Sequence, residues 1–336
     1  MISTINLNLN RAKAKKDDEF YTLLEDIEKE LLHEDYISFF KNRVVYCNCD
    51  NPEYSAFFQF FQKYFKDLGI RKVIFTFKGN NPYKTELSLK GMSTTFLEDG
   101  SFQSEECIEI LKESDLVVTN PPFSIAREEF IPLLYKYNKD YIIIGDLYWS
   151  AYKDIFPYVK QDKMFAGYNT IKGFKRPDGS LSSFGNKCWF TNLRLVRLDI
   201  PLDLTKNYED NEENYPRYDN YPAIECKKVK DIPKDYYDII GVSLQFILKY
   251  CPEQFEIISC TQKNCDYSII LDKDYSKYIG YYQNGRKTGR TGTTFGHDCV
   301  IEKDDGIHCY YEFEGRRLQA LNQRLFIKRK SLSLSR

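Results

Sequence analysis

The sequence predicts an α/β protein: a mainly parallel sheet with helical crossovers, followed by a smaller α+β region. Three observations predict it. Short, uniformly apolar runs (Val44–Cys47, 73–77, Leu116–Thr119 and 141–144) have the composition of strands buried on both faces. Segments with apolar residues at helical spacing separate them. After about residue 200 that alternation stops. Residues 206–214 are rich in Asn, Glu and Asp, and beyond them lie many tyrosines, short strand-like pieces and turn signals such as Asn284-Gly285.

In chain order, Phe20, Leu23, Leu24, Ile27 and Leu31 recur at helical spacing and predict one amphipathic helix near 19–40. Val44–Cys47 is the first strand. Pro52 is expected to open a second helix with the stripe Phe57, Phe61, Tyr64, Phe65 and Leu68. A strand over 73–77, a helix over 105–112 and a strand over Leu116–Thr119 follow. Ser124 is the expected N-cap of a helix carrying Ile125, Phe130, Ile131, Leu134 and Tyr137. The next strand, 141–144, is ended by Gly145. Ligands of such sheets bind beyond the carboxyl ends of the strands, so the loops after Cys47, Phe77 and Thr119 are where chemistry is expected. The expected division is a larger α/β domain over 1–200 and a smaller α+β region over 201–336.

With 336 residues, 42% of them hydrophobic, the chain can build one large core and one smaller one. A formal net charge of -1 supplies no global field, so any anion-binding surface must be local. The basic segments are Arg286, Lys287 and Arg290 on a glycine-rich stretch, and the tail from Gly315, which has seven Arg and Lys and no acid. No apolar run is long enough for a membrane span, and the N-terminus has no signal-like stretch, so a cytoplasmic location is expected. Ten scattered cysteines without a CxxC pair read as free thiols in a reducing compartment. Cys260, Cys265, His297 and Cys299 have no standard zinc spacing, and no metal is expected. No GxGxxG follows the first strand, which argues against a dinucleotide-dependent oxidoreductase.

The informative stretch is Leu116-Val117-Val118-Thr119-Asn120-Pro121-Pro122-Phe123. An apolar strand runs into Asn-Pro-Pro-aromatic, and a helix follows. Two prolines hold a stiff, extended backbone and donate no N–H. The amide oxygen of Asn120 and the carbonyl oxygen of Pro121 can each accept one N–H of an exocyclic amine. An adenine amine is a poor nucleophile because its lone pair is delocalised into the ring. Two acceptors favour a more pyramidal nitrogen, whose lone pair can then meet a methyl sulfonium. Phe123 offers a flat face for stacking the base, which must first leave the duplex.

The sequence resembles the amino-methyltransferases with this motif, and more closely the EcoRI-type adenine-specific DNA methyltransferase family. The resemblance rests on ordered blocks: Asp18-Glu19-Phe20-Tyr21-Thr22, Val44 to Pro52, the Asn-Pro-Pro-Phe block, Trp189-Phe190-Thr191-Asn192, Tyr215 to Tyr221, and Tyr250 to Phe255. It implies a Rossmann-like, S-adenosylmethionine-dependent methyltransferase sheet with a smaller C-terminal α+β DNA-recognition region. It also implies S-adenosyl-L-methionine as cofactor and double-stranded DNA as substrate. A monomer is implied, acting as the partner of a restriction endonuclease or as an orphan modification enzyme, with no membrane partner.

Carried over, Phe20, Tyr21 and Thr22 would touch the methionine end of the cofactor. Cys49 and Asp50 lie in the first cofactor loop, which here lacks the usual glycines. Asp50 either binds the cofactor's amino group or caps the helix expected at Pro52. Asp99 and Phe102 would hold the cofactor's adenine, with Ser101 where relatives carry an acid. Lys78-Gly79-Asn80 stands where a ribose-binding acid is usual. Asn120 would face cofactor and substrate together. Arg286, Lys287, Arg290, Arg316 and Arg317 are the candidate DNA contacts. An RNA adenine or a protein glutamine could be methylated by the same loop. A basic, glycine-hinged module of more than a hundred residues suits a duplex better.

Overall fold

The structure is a computed structural model that describes residues 21–176, 179–183, 185–261, 269–296, 298–302 and 309–330. The chain forms two compact units. Of the described residues, those up to 147 and within 164–195 form the first; those within 148–163 and from 196 onward form the second.

The first unit is built on an eight-stranded mixed sheet. Its strands are β2 (Val44–Cys47), β3 (Lys72–Phe77), β4 (Tyr83–Ser88), β5 (Gly91–Phe96), β6 (Leu116–Thr119), β7 (Asp140–Asp146), β8 (Phe165–Ile171) and β11 (Lys187–Thr191). Their spatial order is β5-β4-β3-β2-β6-β7-β11-β8. The four central strands, β3, β2, β6 and β7, run parallel; the flanking pairs are antiparallel. Every residue of β2, β6 and β11 is buried, as the apolar runs of the parallel strands β2 and β6 require. A second, three-stranded sheet joins β1 (Tyr21–Thr22), β9 (Phe174–Lys175) and β10 (Leu181–Ser182).

The helices depart from expectation in three places. The single helix expected near 19–40 is two, α1 (Leu24–Leu31) and α2 (Glu34–Phe40). His33 is extended between them and its Nδ1 accepts the Asp35 N–H at 3.4 Å, an N-cap the apolar periodicity conceals. The break lets Tyr36 donate back to buried Glu30, which also accepts the N–H groups of Tyr168 and Asn169. Pro52 does not open the next helix. Residues 51–54 form a turn, and α3 (Ala56–Tyr64) starts after Ser55, whose hydroxyl accepts the Phe57 N–H at 3.1 Å. Proline favours turns and helix starts alike, and the serine decides. Ser124 is not an N-cap: it lies inside a helical turn, Phe123–Ile125, that begins directly after Pro122. A π-helical turn, Ala126–Phe130, follows and leads into α5 (Ile131–Lys136). Pro132 cannot donate to the preceding turn, so the ladder widens just before it. The helix expected over 105–112 is α4 (Glu105–Glu113). β7 runs on through Gly145, which pairs with Cys188.

The second unit carries two sheets. One is β12 (Ile224–Cys226), β13 (Ile240–Ser243), β20 (Arg324–Arg329) and β14 (Phe255–Cys260), in that order; helix α6 (Phe156–Lys160) packs on β14. The other is antiparallel, ordered β16 (Lys287–Thr291), β15 (Ile279–Tyr282), β18 (Cys309–Phe313), β19 (Arg316–Leu321) and β17 (Cys299–Glu302). Tyr218, Tyr221, Cys299, Ile301 and Phe326 share a core cluster. Much of the basic segment from Gly315 is therefore built into strands, β19 and β20. Leu325, Phe326 and Ile327 are fully buried in β20, and Arg324 forms a bidentate pair with buried Glu225 at 3.0 and 3.1 Å. Among the described residues no helix is long and apolar enough to cross a membrane.

Candidate active site at the carboxyl ends of the parallel strands

Strands β2 and β6 are parallel neighbours, so the loops that leave them emerge side by side. The loop after β2 is Asn48-Cys49-Asp50-Asn51, and the loop after β6 is Asn120-Pro121-Pro122-Phe123. Asp50 ties them together. One carboxylate oxygen accepts the Ser55 hydroxyl at 2.9 Å and the other accepts the Thr119 hydroxyl at 2.7 Å. The backbone N–H of Asn120 also donates to it. Burial raises the Asp50 carboxyl to about 6, the largest influence, and the three donors pull it back down. Burial, then the charge of Asp50, pushes the Cys49 thiol up. Asp50 thus caps α3 only through Ser55, and it fixes the backbone from which Asn120 projects.

Pro121 is buried, Asn120, Pro122 and Phe123 are half-buried, and Oδ1 of Asn120 has no exposure to solvent. The Phe123 ring meets the edge of Phe174 at 6.2 Å. The Lys187 ammonium lies 4.2 Å from the centre of the same ring. Lys187 pairs with Asp146 at 2.6 Å.

The other sequence-predicted cofactor residues fall around these loops. Phe20 lies outside the described residues. Thr22 pairs with Phe174, and Tyr21 with Lys175, so β1 reaches the motif through the ring that touches Phe123. Gly100 sits on the carbonyl of Phe77 so closely that a Cβ would come within 2.1 Å of its oxygen, which lays the 99–102 loop on the end of β3. In that loop Asp99 is exposed and accepts the Ser101 N–H at 2.9 Å, while Phe102 is buried against Phe130. Thr22 Oγ1 and Asn48 Nδ2 are buried and make no hydrogen bond among the described residues. Such atoms cost about 1–3 kcal/mol each when nothing meets them.

The sequence-predicted basic residues divide into two kinds. Arg286, Lys287 and Arg290 are exposed on the hairpin of β15 and the edge strand β16, whose turn uses Gly285 at φ 78. None of them pairs with a carboxylate among the described residues. Arg316 instead bridges Asp219 and Glu302, and Arg317 pairs with Glu312 while lying 4.8 Å over the Tyr310 ring. Among the described residues no group of His, Cys, Asp and Glu is arranged to hold a metal; Cys265 and His297 lie outside them. Sequence reasoning missed Ser55, Thr119, Asp146, Phe174 and Lys187. Only Thr119, directly before the motif, carried a local signal.

The chain that carries this strand-end Asn-Pro-Pro-Phe turn and its buried carboxylate is, by comparison with known proteins, of the methyltransferase class. The family described as "Adenine-specific methyltransferase EcoRI" matches residues 8–96 and 84–303. The chain belongs to this EcoRI adenine-specific methyltransferase family. It is 38% identical to the Type II methyltransferase M.EcoRI of Escherichia coli over 292 residues, 75% of this chain and 89% of that protein. It is 38% identical to M.MgeORF184P of Mycoplasma genitalium, covering 75% of this chain and 86% of that one. It is 37% identical to M.MpnI of Mycoplasma pneumoniae, covering 75% and 85%. No solved structure matches the chain at a significant level.

Proposed function

We propose that this protein is a site-specific DNA methyltransferase that moves a methyl group from S-adenosylmethionine to the N6 amine of an adenine flipped out of duplex DNA. The observation that carries the reading is Asn120-Pro121-Pro122-Phe123 at the end of a central parallel strand, held by Asp50. Membership of an adenine-specific family and relatives named Type II methyltransferases support it. The eight-stranded sheet is read as Rossmann-like, with residues 1–200 as the catalytic domain and 201–336 as the recognition region.

Asn120 Oδ1 and the Pro121 carbonyl take the two N6–H groups, and Phe123 stacks the base. Because the brace sets the Asn120 backbone before substrate arrives, little reorganisation is left for the reaction. The orphaned Thr22 Oγ1 and Asn48 Nδ2 fit a ligand that offers an ammonium and a carboxylate. Tyr21, Thr22, Asn48, Cys49 and Asp50 would hold its methionine end, with Phe20 before them, and Asp99 and Phe102 its adenine. When bound, S-adenosylmethionine supplies an electrophilic methyl group on a sulfonium. The exposed cations Arg286, Lys287 and Arg290 are the DNA contacts, with Arg316 and Arg317 behind them. The enzyme acts as a cytoplasmic monomer, in a restriction–modification pair or alone.

The test offers purified protein a labelled methyl donor together with unmethylated genomic DNA, total RNA and a protein extract. Label confined to DNA is expected. Label in RNA or in protein, with none in DNA, would overturn the reading.

A further inference from the structure

We propose that Lys187, locked by Asp146, is a positioning residue for methyl transfer that acts through the ring of Phe123. The inference rests on the reading of Phe123 as the surface on which the target base stacks.

Lys187 and Asp146 are directly opposed residues of β11 and β7. Their charges meet at 2.6 Å, with side chains only 10% and 19% exposed. The same carboxylate oxygen also accepts the Asn186 side-chain amide at 2.8 Å. The ammonium then projects over the Phe123 ring, 4.2 Å from its centre. Phe174 bounds that ring edge-on, and Phe174 is itself fixed by pairing with Thr22.

Burying an ion pair is a poor way to gain stability. The desolvation of both charges commonly offsets their attraction, and an apolar pair of the same size is often as good. A lysine stem packed between β7 and β8 would hold these strands together without its charge. The charge lies within cation–π distance of the motif's aromatic ring. An ammonium at that distance does two things a methyl group would not: it fixes the tilt of the ring, and it polarises the π cloud. Both set how firmly a purine stacks there, and a base held at the wrong tilt misses the acceptors of Asn120 and Pro121. Asp146 keeps the long, flexible lysine in one rotamer, so the ring is fixed before substrate arrives.

The test uses the full-length enzyme and a duplex of its own target sequence with 2-aminopurine replacing the target adenine, whose fluorescence is quenched by stacking. Single-turnover methylation of the normal duplex is measured beside it. Lys187→Met should slow methyl transfer about tenfold and leave the apparent affinity for the methyl donor within about twofold. It should also raise 2-aminopurine emission in the complex. Lys187→Arg should restore most of the rate and the quench. In a Phe123→Leu background, Lys187→Met should add no further loss, because the ring through which it acts is gone. If Lys187→Met does not fold, Asp146→Asn carries the same expectations, since it frees the lysine from its lock. Multiplying effects of Lys187→Met and Phe123→Leu, or an unchanged quench in the slowed variant, would overturn the inference while the wild type still methylates DNA. A wild type that methylates no DNA would remove the reading of the site, and this inference with it.

Discussion

The strand-end loops of the first unit and the β15–β16 hairpin of the second hold their charged side chains in opposite ways. At the ends of β2 and β6 the charged group is buried and hydrogen-bonded: Asp50 serves Ser55, Thr119 and the Asn120 backbone at once. On the hairpin of β15 and β16 the charged groups are exposed and unpaired with carboxylates among the described residues. The first arrangement suits chemistry, where a misplacement of an ångström is costly. The second suits a polyanion, whose phosphates can be met by mobile cations in several ways. Substitutions in the two regions should therefore separate into effects on turnover and effects on binding.

The largest separation is expected at the motif. Asn120→Ala should lower single-turnover methyl transfer about a thousandfold, with melting temperature and DNA affinity unchanged. A parallel loss of DNA affinity would break the distinction. Asp50→Ala should be next. It leaves the hydroxyls of Thr119 and Ser55 and the Asn120 N–H unmet, at about 1–3 kcal/mol of stability by denaturant titration. Transfer should also slow about a hundredfold as Asn120 loses its anchor.

The same carboxyl should make methyl transfer pH-dependent. Its folded-state value, about 6, stands above the ordinary carboxylate value because of burial. A raised value favours the protonated form in the fold. The proton-linked part of the stability Asp50 contributes is therefore present below about 4 and lost as pH rises through about 6. Only the ionised carboxylate accepts from all three donors, so transfer should rise across the window in which stability falls. A pH–rate profile should show an inflection near 6 that Asp50→Asn removes. An inflection that persists in the variant assigns it elsewhere.

On the other side of the comparison, neutralising Arg286, Lys287 and Arg290 together should weaken DNA binding at every sequence and reduce the salt slope by about one per charge removed. Single-turnover transfer at saturating DNA should stay near the wild-type rate. Arg316→Ala should do least. Arg316 is held by Asp219 and Glu302 at a half-exposed site, so no more than about 1 kcal/mol of stability is at stake. A large loss of DNA affinity in that variant would place it with the unpaired cations.

What the sequence made legible follows the range of the forces involved. β2 and β6 could be read to the residue, because a strand buried on both faces must be apolar throughout. The motif could be read because its stiffness is covalent. The break at His33, the late start of α3 at Ser55 and the early turn at Phe123 were concealed, because local caps compete within a continuous apolar stripe. Arg324 looked like part of a basic tail, because its partner Glu225 lies 99 positions away. Lys187 and Asp146 are 41 apart and meet only through strand pairing. Phe20, the first residue expected at the cofactor, lies outside the described residues and stays a sequence reading.

The most direct test of the central claim is the identity of the methylated nucleoside. Genomic DNA lacking the modification is incubated with wild-type protein and methyl donor, digested, and resolved by mass. N6-methyladenine, and no other new nucleoside, is the predicted product. A methylated cytosine, or DNA that stays unmodified while the protein binds it, would contradict the assignment of Asn120-Pro121-Pro122-Phe123 as an adenine N6 methylation site.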